Sequence, residues 1–185
     1  MGRWKFLVCI GIGICMGLGG AWALQDKDEA PAKMSPPSPL EDEFLERFVG
    51  EWEITGTTEK GGEKHAFTAT ESFEWILNHQ FLLQHYHKPG MQGAPDLNGL
   101  ALMRSTPDST DYDFWWFSNY GSGEHYQGKR DGDTVVLHHE GPTGSMRLTF
   151  AMPKEGDSSF SLDTQTPEGK EYTPYLRSTV KRKSP

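Results

Sequence analysis

Residues 67–87, FTATESFEWILNHQFLLQHYH, decide the fold of this chain. Apolar side chains alternate with polar ones in the first half, at Phe67, Ala69, Phe73, Trp75 and Leu77. This period of two is typical of a long, half-buried β-strand. A second run starts at Phe81, after Asn78-His79, a pair that tolerates positive φ angles better than most. The stretch therefore predicts a β-hairpin that turns at Asn78-His79.

The register of this hairpin decides which side chains share a face. A two-residue loop sets Trp75 opposite Leu82 and leaves His85 and His87 on the other face with Ser72 and Glu74. A three-residue loop instead brings His87 beside Glu71 on the face of Trp75, because one step of register moves every side chain across the sheet. The sequence leaves both registers open.

Short alternating runs continue along the rest of the chain, separated by turn signals such as Asp131-Gly132-Asp133. Before the first strand, Leu40, Phe44, Leu45 and Phe48 fall at helical spacing and predict a short helix. No strand alternates with a helical segment, which argues against a parallel sheet. We therefore predict an all-β fold, an antiparallel up-and-down barrel of about ten strands with a short N-terminal helix. A barrel is favoured over a sandwich because closure removes exposed edges.

Length and charge limit the class of protein. The 185 residues suffice for about one domain. The net charge of −8 argues against a nucleic-acid-binding surface, so no nucleic-acid partner is expected.

The N-terminal segment has the pattern of a secretory signal peptide. Arg3 and Lys5 precede an uncharged apolar run, and Ala21-Trp22-Ala23 places small residues at the two positions that a signal peptidase reads. The chain is thus divided into a signal peptide at 1–23, a disordered, proline-rich linker at 24–39 and a domain at 40–183. Cleavage predicts a secreted or periplasmic protein without stable membrane insertion. The alternative is an uncleaved N-terminal membrane anchor.

Several motifs, in their order along the chain, resemble the exported bacterial lipocalin-like (calycin) barrels of unknown function. They are Gly50-Glu51-Trp52, the hairpin at 75–82, the aromatic strand 112–118 and Gly128 before the turn at 131–133. The resemblance implies a lipocalin-like barrel in which Trp52 plugs one end, and a lipophilic ligand. Nitrobindins, which are haem-binding relatives of this class, carry a proximal histidine near the C-terminus. Residues 170–185 contain none, which argues against haem binding of that kind.

The leading functional hypothesis is non-catalytic binding of a small, mostly apolar molecule inside the barrel, because a concave aromatic lumen with few polar groups suits such a ligand. Gln84 and Tyr86 would orient the ligand. No cofactor is predicted. The residues expected to line the cavity share one face of their strands: Phe73, Trp75, Leu82, Gln84, Tyr86, Phe114 and Trp116. The sequence does not decide whether the barrel is filled or hollow.

Two other classes of function stay open. His85 and His87, two residues apart on one strand face, could belong to a metal-binding protein or a hydrolase. An envelope interaction protein with a filled barrel could instead use the outward side of Trp115 and Phe117. The predicted helix is our first choice to cover those two rings, and a homodimer is the second.

Overall fold

The computed structural model describes residues 35–91 and 93–183, which form ten β-strands and one short helix. The predicted signal peptide and most of the predicted linker lie outside the described residues. The barrel and its helix belong to one compact unit that starts at Pro37. The elements are α1 (Glu43–Glu46), β1 (Gly50–Lys60), β2 (Glu63–Ile76), β3 (Phe81–Lys88), β4 (Leu97–Ser105), β5 (Asp111–Ser118), β6 (Gly123–Asp131), β7 (Thr134–Gly141), β8 (Gly144–Ala151), β9 (Ser158–Gln165) and β10 (Thr173–Arg182).

The ten strands form a closed antiparallel barrel in which each strand pairs with its neighbours along the chain. Closure comes from β1 and β10, whose register sets Trp52 opposite Arg182 and Ile54 opposite Val180. The predicted up-and-down barrel of about ten strands with a short N-terminal helix is therefore confirmed. Among the described residues, no helix has the length and hydropathy that crossing a membrane requires.

The β2–β3 hairpin has the register of the two-residue alternative. Trp75 pairs with Leu82, and Ser72 pairs with His85 on the outer face. The prediction that Leu77 continues the strand is wrong, because β2 ends at Ile76. Leu77, Asn78 and His79 all have φ between 51° and 56°, so a tight left-handed turn takes the place of the last strand residue.

The helix closes one end of the barrel. Asp42 caps α1 by accepting hydrogen bonds from the backbone N–H groups of Phe44 and Leu45, at 2.8 and 3.1 Å. Phe44, Leu45 and Phe48 are almost completely buried. The Phe48 ring packs edge-on against the rings of Phe44, Phe73 and Phe150, with centroid distances of 5.2 to 5.7 Å. The hydrophobic side of the helix therefore fills the barrel interior.

This position of the helix overturns one prediction, that it covers Trp115 and Phe117 on the outer face of β5. Phe44 and Leu45 of α1 and Phe48 just after it face the interior, where burial removes their apolar surface from water. Trp115 instead stacks on His125, with centroids 4.8 Å apart. Phe117 stays 47% exposed.

Trp52 lies at the end of the barrel that the helix occupies. Its side chain is buried, and its indole N–H donates to the carbonyl oxygen of Phe48 at 2.6 Å. The guanidinium of Arg182 covers the ring at 4.3 Å from the centroid. We call the part of the barrel that holds α1, Trp52 and Phe150 the closed half, and the part toward the opposite strand ends the open half.

Truncating Phe48 tests whether the closed half carries the stability of the barrel. We expect Phe48→Ala to lower the free energy of unfolding by about 3–5 kcal/mol in urea denaturation, since a buried ring is lost and a cavity stays behind. The matched control is Phe117→Ala on the outer face, with an expected loss of about 1 kcal/mol or less. Equal losses for the two variants would show that the Phe48 ring does not hold the core together.

Candidate functional site

The open half of the barrel contains a cavity of about 200 Å³. Tyr175, which is 38% exposed, borders it, so the cavity reaches the surface at the end opposite α1. Its wall is mostly apolar and comes from eight strands. The lining residues are Thr58, Gln84, Tyr86, Lys88, Leu97, Phe114, Trp116, Tyr126, Leu148, Phe160, Leu162, Tyr175 and Leu176.

A difference in packing between the two halves explains why the cavity lies here. In the closed half, α1 and the turn after it add Phe44, Leu45 and Phe48 to the inward side chains of the strands, and the interior is filled. The open half receives no such element. The barrel is therefore half filled and half hollow, an outcome that lies between the two that the sequence left open.

Gly99 determines how one wall of the cavity is built. A Cβ atom at Gly99 would come within 1.9 Å of the Trp116 ring, so only glycine lets this indole lie flat along β4. The Trp116 ring then meets Tyr86 edge-on, with centroids 5.6 Å apart. These two aromatic residues form a continuous wall next to Gln84.

Two polar side chains, Glu71 and Gln84, contact each other inside the barrel. Glu71 shares the inward face of β2 with Phe73 and pairs with Tyr86 across the β2–β3 ladder. The Gln84 side-chain amide donates to Oε2 of Glu71 at 2.6 Å. Gln84 is 95% buried, since its exposed fraction is 5%, and its Oε1 atom has no hydrogen-bond partner. A buried acceptor without a donor costs free energy, and such groups need an explanation.

The environment of Glu71 disfavours its charged form. Burial raises the pKa of Glu71 from 4.5 to about 7, although the hydrogen bond from Gln84 opposes the rise. Burial also raises the pKa of the neighbouring Tyr86 phenol, and the negative charge of Glu71 adds to that rise. Near neutral pH, the carboxyl group of Glu71 is therefore protonated in some molecules and ionised in others.

The seven residues predicted to line the cavity lie in three different places. Gln84, Tyr86, Phe114 and Trp116 lie at the cavity wall. Phe73 and Leu82 are buried deeper, in the filled core. Trp75 lies at the closed end, where its indole N–H donates to Oε2 of Glu46 in α1 at 2.7 Å and its ring stacks on His79.

The two histidines of the metal alternative lie on the outer face of β3, away from the cavity. Nε2 of His85 lies 4.0 Å from Oε1 of Glu74. Nδ1 of His87 lies 3.0 Å from Oδ1 of Asn98. Within residues 35–91 and 93–183, no group of three or more histidine, cysteine, aspartate or glutamate side chains is arranged to hold a metal ion. The two imidazoles thus point toward separate partners.

Sequence reasoning missed Glu71 as part of the site, as well as the wall formed by β8, β9 and β10. A signal for Glu71 was present, since an acidic residue occupies an inward position within an otherwise apolar alternation. The residues Leu148, Phe160, Leu162 and Leu176 carried no such signal. Aliphatic and aromatic side chains at inward positions look the same whether they fill a core or line a cavity.

Comparison with known proteins assigns the chain to a family. The family model described as "Protein of unknown function (DUF1579)" matches residues 38–180, which is most of the chain and nearly all of the barrel. The chain belongs to the DUF1579 family. A search of the curated proteins finds no match.

Two solved structures share the barrel of this DUF1579 chain. Rv2717c from M. tuberculosis aligns with a TM-score of 0.60 at 13% identity, covering 77% of this chain and 99% of Rv2717c. The S-type phycobiliprotein lyase CPES from Guillardia theta aligns with a TM-score of 0.53 at 11% identity, covering 77% of this chain and 92% of the lyase. At these identities the likeness is one of fold. It agrees with the barrel expected from the lipocalin-like resemblance.

The pH dependence of stability tests the burial of Glu71. A folded-state pKa of about 7, above the usual 4.5, gives stability that is fully present below pH 4.5 and is lost as the pH rises through 7. Relative to Glu71→Gln, the wild type should therefore lose on the order of 2 kcal/mol in free energy of unfolding between pH 5 and pH 8. Urea denaturation of both proteins at each pH gives the difference.

Glu74→Gln is the control for this comparison, because Glu74 lies on the same strand with its side chain exposed on the outer face. Its stability profile should run parallel to that of the wild type. If Glu71→Gln also runs parallel to the wild type, the carboxyl group of Glu71 is not buried.

Proposed function

We propose that this protein binds a small, mostly apolar molecule in the cavity of its open half and does not transform it. The observation that supports this proposal most strongly is the cavity itself, a space of about 200 Å³ in a barrel whose other half is filled. An unfilled apolar space forfeits dispersion contacts that the lining atoms would otherwise make. A ligand of matching shape restores these contacts and removes its own apolar surface from water.

The composition of the wall supports a ligand that is mostly apolar. Aromatic and aliphatic side chains supply most of the lining, and a few polar groups interrupt it at Thr58, Gln84, Tyr86 and Lys88. Pockets for small molecules combine an apolar wall with a few placed polar groups that set orientation. Of the predicted lining residues, we keep Gln84, Tyr86, Phe114 and Trp116 as the proposed binding set.

One further observation supports binding without catalysis. No histidine or cysteine occurs among the described residues that line the cavity, so the groups that most often act as base or nucleophile are not among them. The fold shared with the phycobiliprotein lyase supports the barrel architecture of the proposal, and not the reaction of that lyase. The signal-like pattern of residues 1–23 adds export to the proposal.

Filling the cavity with a larger side chain tests the proposal. The neutral fluorescent probe N-phenyl-1-naphthylamine should bind the purified protein at one site. Leu162→Trp places an indole in the cavity, and we expect it to weaken binding of the probe at least about tenfold, which corresponds to about 1.4 kcal/mol. A fluorescence titration measures the affinity.

The matched control is Leu100→Trp, which adds the same ring to the outer face, where Leu100 is 38% exposed. This variant should bind the probe as the wild type does. Equal affinity of Leu162→Trp and the wild type, or loss of binding in Leu100→Trp alone, would place the probe outside the barrel and overturn the proposal.

A further inference from the structure

We infer that the ligand carries a protonated amino group and binds with this group directed inward, where it donates a hydrogen bond to Oε1 of Gln84 with the Glu71 carboxylate behind the amide. This inference rests on the proposed function, because it names the chemical class of the molecule that fills the cavity. The juxtaposition of Gln84 and Glu71 on the inner faces of two paired strands carries it.

The first step of the argument is the unpartnered acceptor. Gln84 lines the cavity, is 95% buried, and uses its amide N–H group on Glu71. Its Oε1 atom can only accept hydrogen bonds, and it has no partner. Oε1 is itself fully buried, so the amide must turn toward the cavity for a ligand that ends in an N–H or O–H group to supply the missing donor. A ligand that is apolar throughout would leave the acceptor unsatisfied.

The second step is the charge behind the amide. Glu71 takes part in none of the salt bridges formed by the described residues. Its carboxylate, when ionised, accepts the hydrogen bond from Gln84 at 2.6 Å and polarises the amide, which makes Oε1 a stronger acceptor. A cation next to Oε1 therefore gains both a charge-assisted hydrogen bond and attraction to the carboxylate. Glu71 acts through Gln84 and is a positioning residue.

The third step is the aromatic wall beside Gln84. The rings of Tyr86 and Trp116 meet edge-on at 5.6 Å, and Phe114 lines the cavity on the same side. The negative faces of aromatic rings attract ammonium groups, more strongly where water is excluded. The apolar part of an amine packs against the same rings.

Among the described residues, none of the other charged groups near Glu71 takes the place of the amine as its positive partner, and Lys88 orients the ligand. On β3, Tyr86 faces Glu71 directly, and Lys88 lies four residues from Gln84, about 13 Å along the strand toward the mouth. On β10, Arg182 lies across the Trp52 ring, and its guanidinium donates to the carbonyl oxygens of Arg47 and Val49. The inner faces of β1 and β4 near Glu71 carry the uncharged residues Trp52, Ile54, Gly99 and Ala101. Repulsion from Lys88 at the mouth thus turns the positive end of a ligand inward.

Three probes of equal chain length separate charge from hydrogen bonding. Octylamine provides both a positive charge and N–H donors, octyltrimethylammonium provides the charge alone, and 1-octanol provides a neutral donor. We expect octylamine to bind the wild-type protein about tenfold more tightly than either of the others at pH 8, measured by isothermal titration calorimetry. In Glu71→Gln this preference over 1-octanol should fall below about threefold, while 1-octanol still binds. Glu74→Gln, on the outer face of the same strand, should keep the full preference.

The pH dependence gives a second readout. Burial raises the pKa of Glu71 to about 7, and an amine of this kind stays protonated up to about pH 10. Because the ionised carboxylate strengthens the Gln84 acceptor and attracts the cation beside it, the affinity for the amine should rise about tenfold from pH 6 to pH 8 in the wild type and stay constant in Glu71→Gln.

Each outcome decides one of the two proposals. If 1-octanol binds and the wild-type protein binds octylamine no more tightly, the inference on the amine is overturned. The same holds if Glu71→Gln still binds octylamine about tenfold more tightly than 1-octanol. In both cases the proposal of an apolar ligand in the cavity stands. Equal affinity of octylamine and octyltrimethylammonium would refute the hydrogen bond to Gln84. If none of the three probes binds, the proposed function fails and the inference fails with it.

Discussion

Pairing of β1 with β10 is the constraint on which the rest of the structure depends, because it turns a ten-stranded meander into a tube with an inside. Without this pairing the inward side chains would need a second layer to cover them. With it, the alternation of each strand sorts residues into an interior and a surface. The chain then fills one half of the interior with α1 and leaves the other half to its strand residues alone.

The position of Glu71 and Gln84 inside the barrel determines how strongly this polar pair is shielded from water. Glu71 and Gln84 lie near the boundary between the filled and hollow halves, Phe73 being the cross-strand partner of Gln84. A carboxyl group in this position stays partly shielded from water, and the same shielding strengthens its interaction with any cation that enters. The pair thus links the fold to a specific ligand chemistry, which an apolar cavity of the same volume could not provide.

Most of the fold could be predicted from the sequence, and about half of the site. Period-two alternation fixes which side chains share a face, so the placement of Gln84, Tyr86, Phe114 and Trp116 on inward faces followed from the pattern. How deep each residue lies along the barrel axis did not follow, since it depends on how far the helix enters. Phe73 and Leu82 ended in the core for that reason, and the cover expected over Trp115 and Phe117 was wrong because the helix enters the lumen.

The tryptophans of the barrel allow the most direct test of a ligand in the open half. Trp116 lines the cavity, Trp52 and Trp75 lie at the closed end with hydrogen-bonded indoles, and Trp115 lies outside. In a nuclear magnetic resonance titration with 1-octanol, the indole N–H signal of Trp116 should shift until one equivalent is bound, while those of Trp52 and Trp75 stay unchanged. A shift at Trp115 with no change at Trp116 would contradict the account, because the probe would then occupy the outer surface.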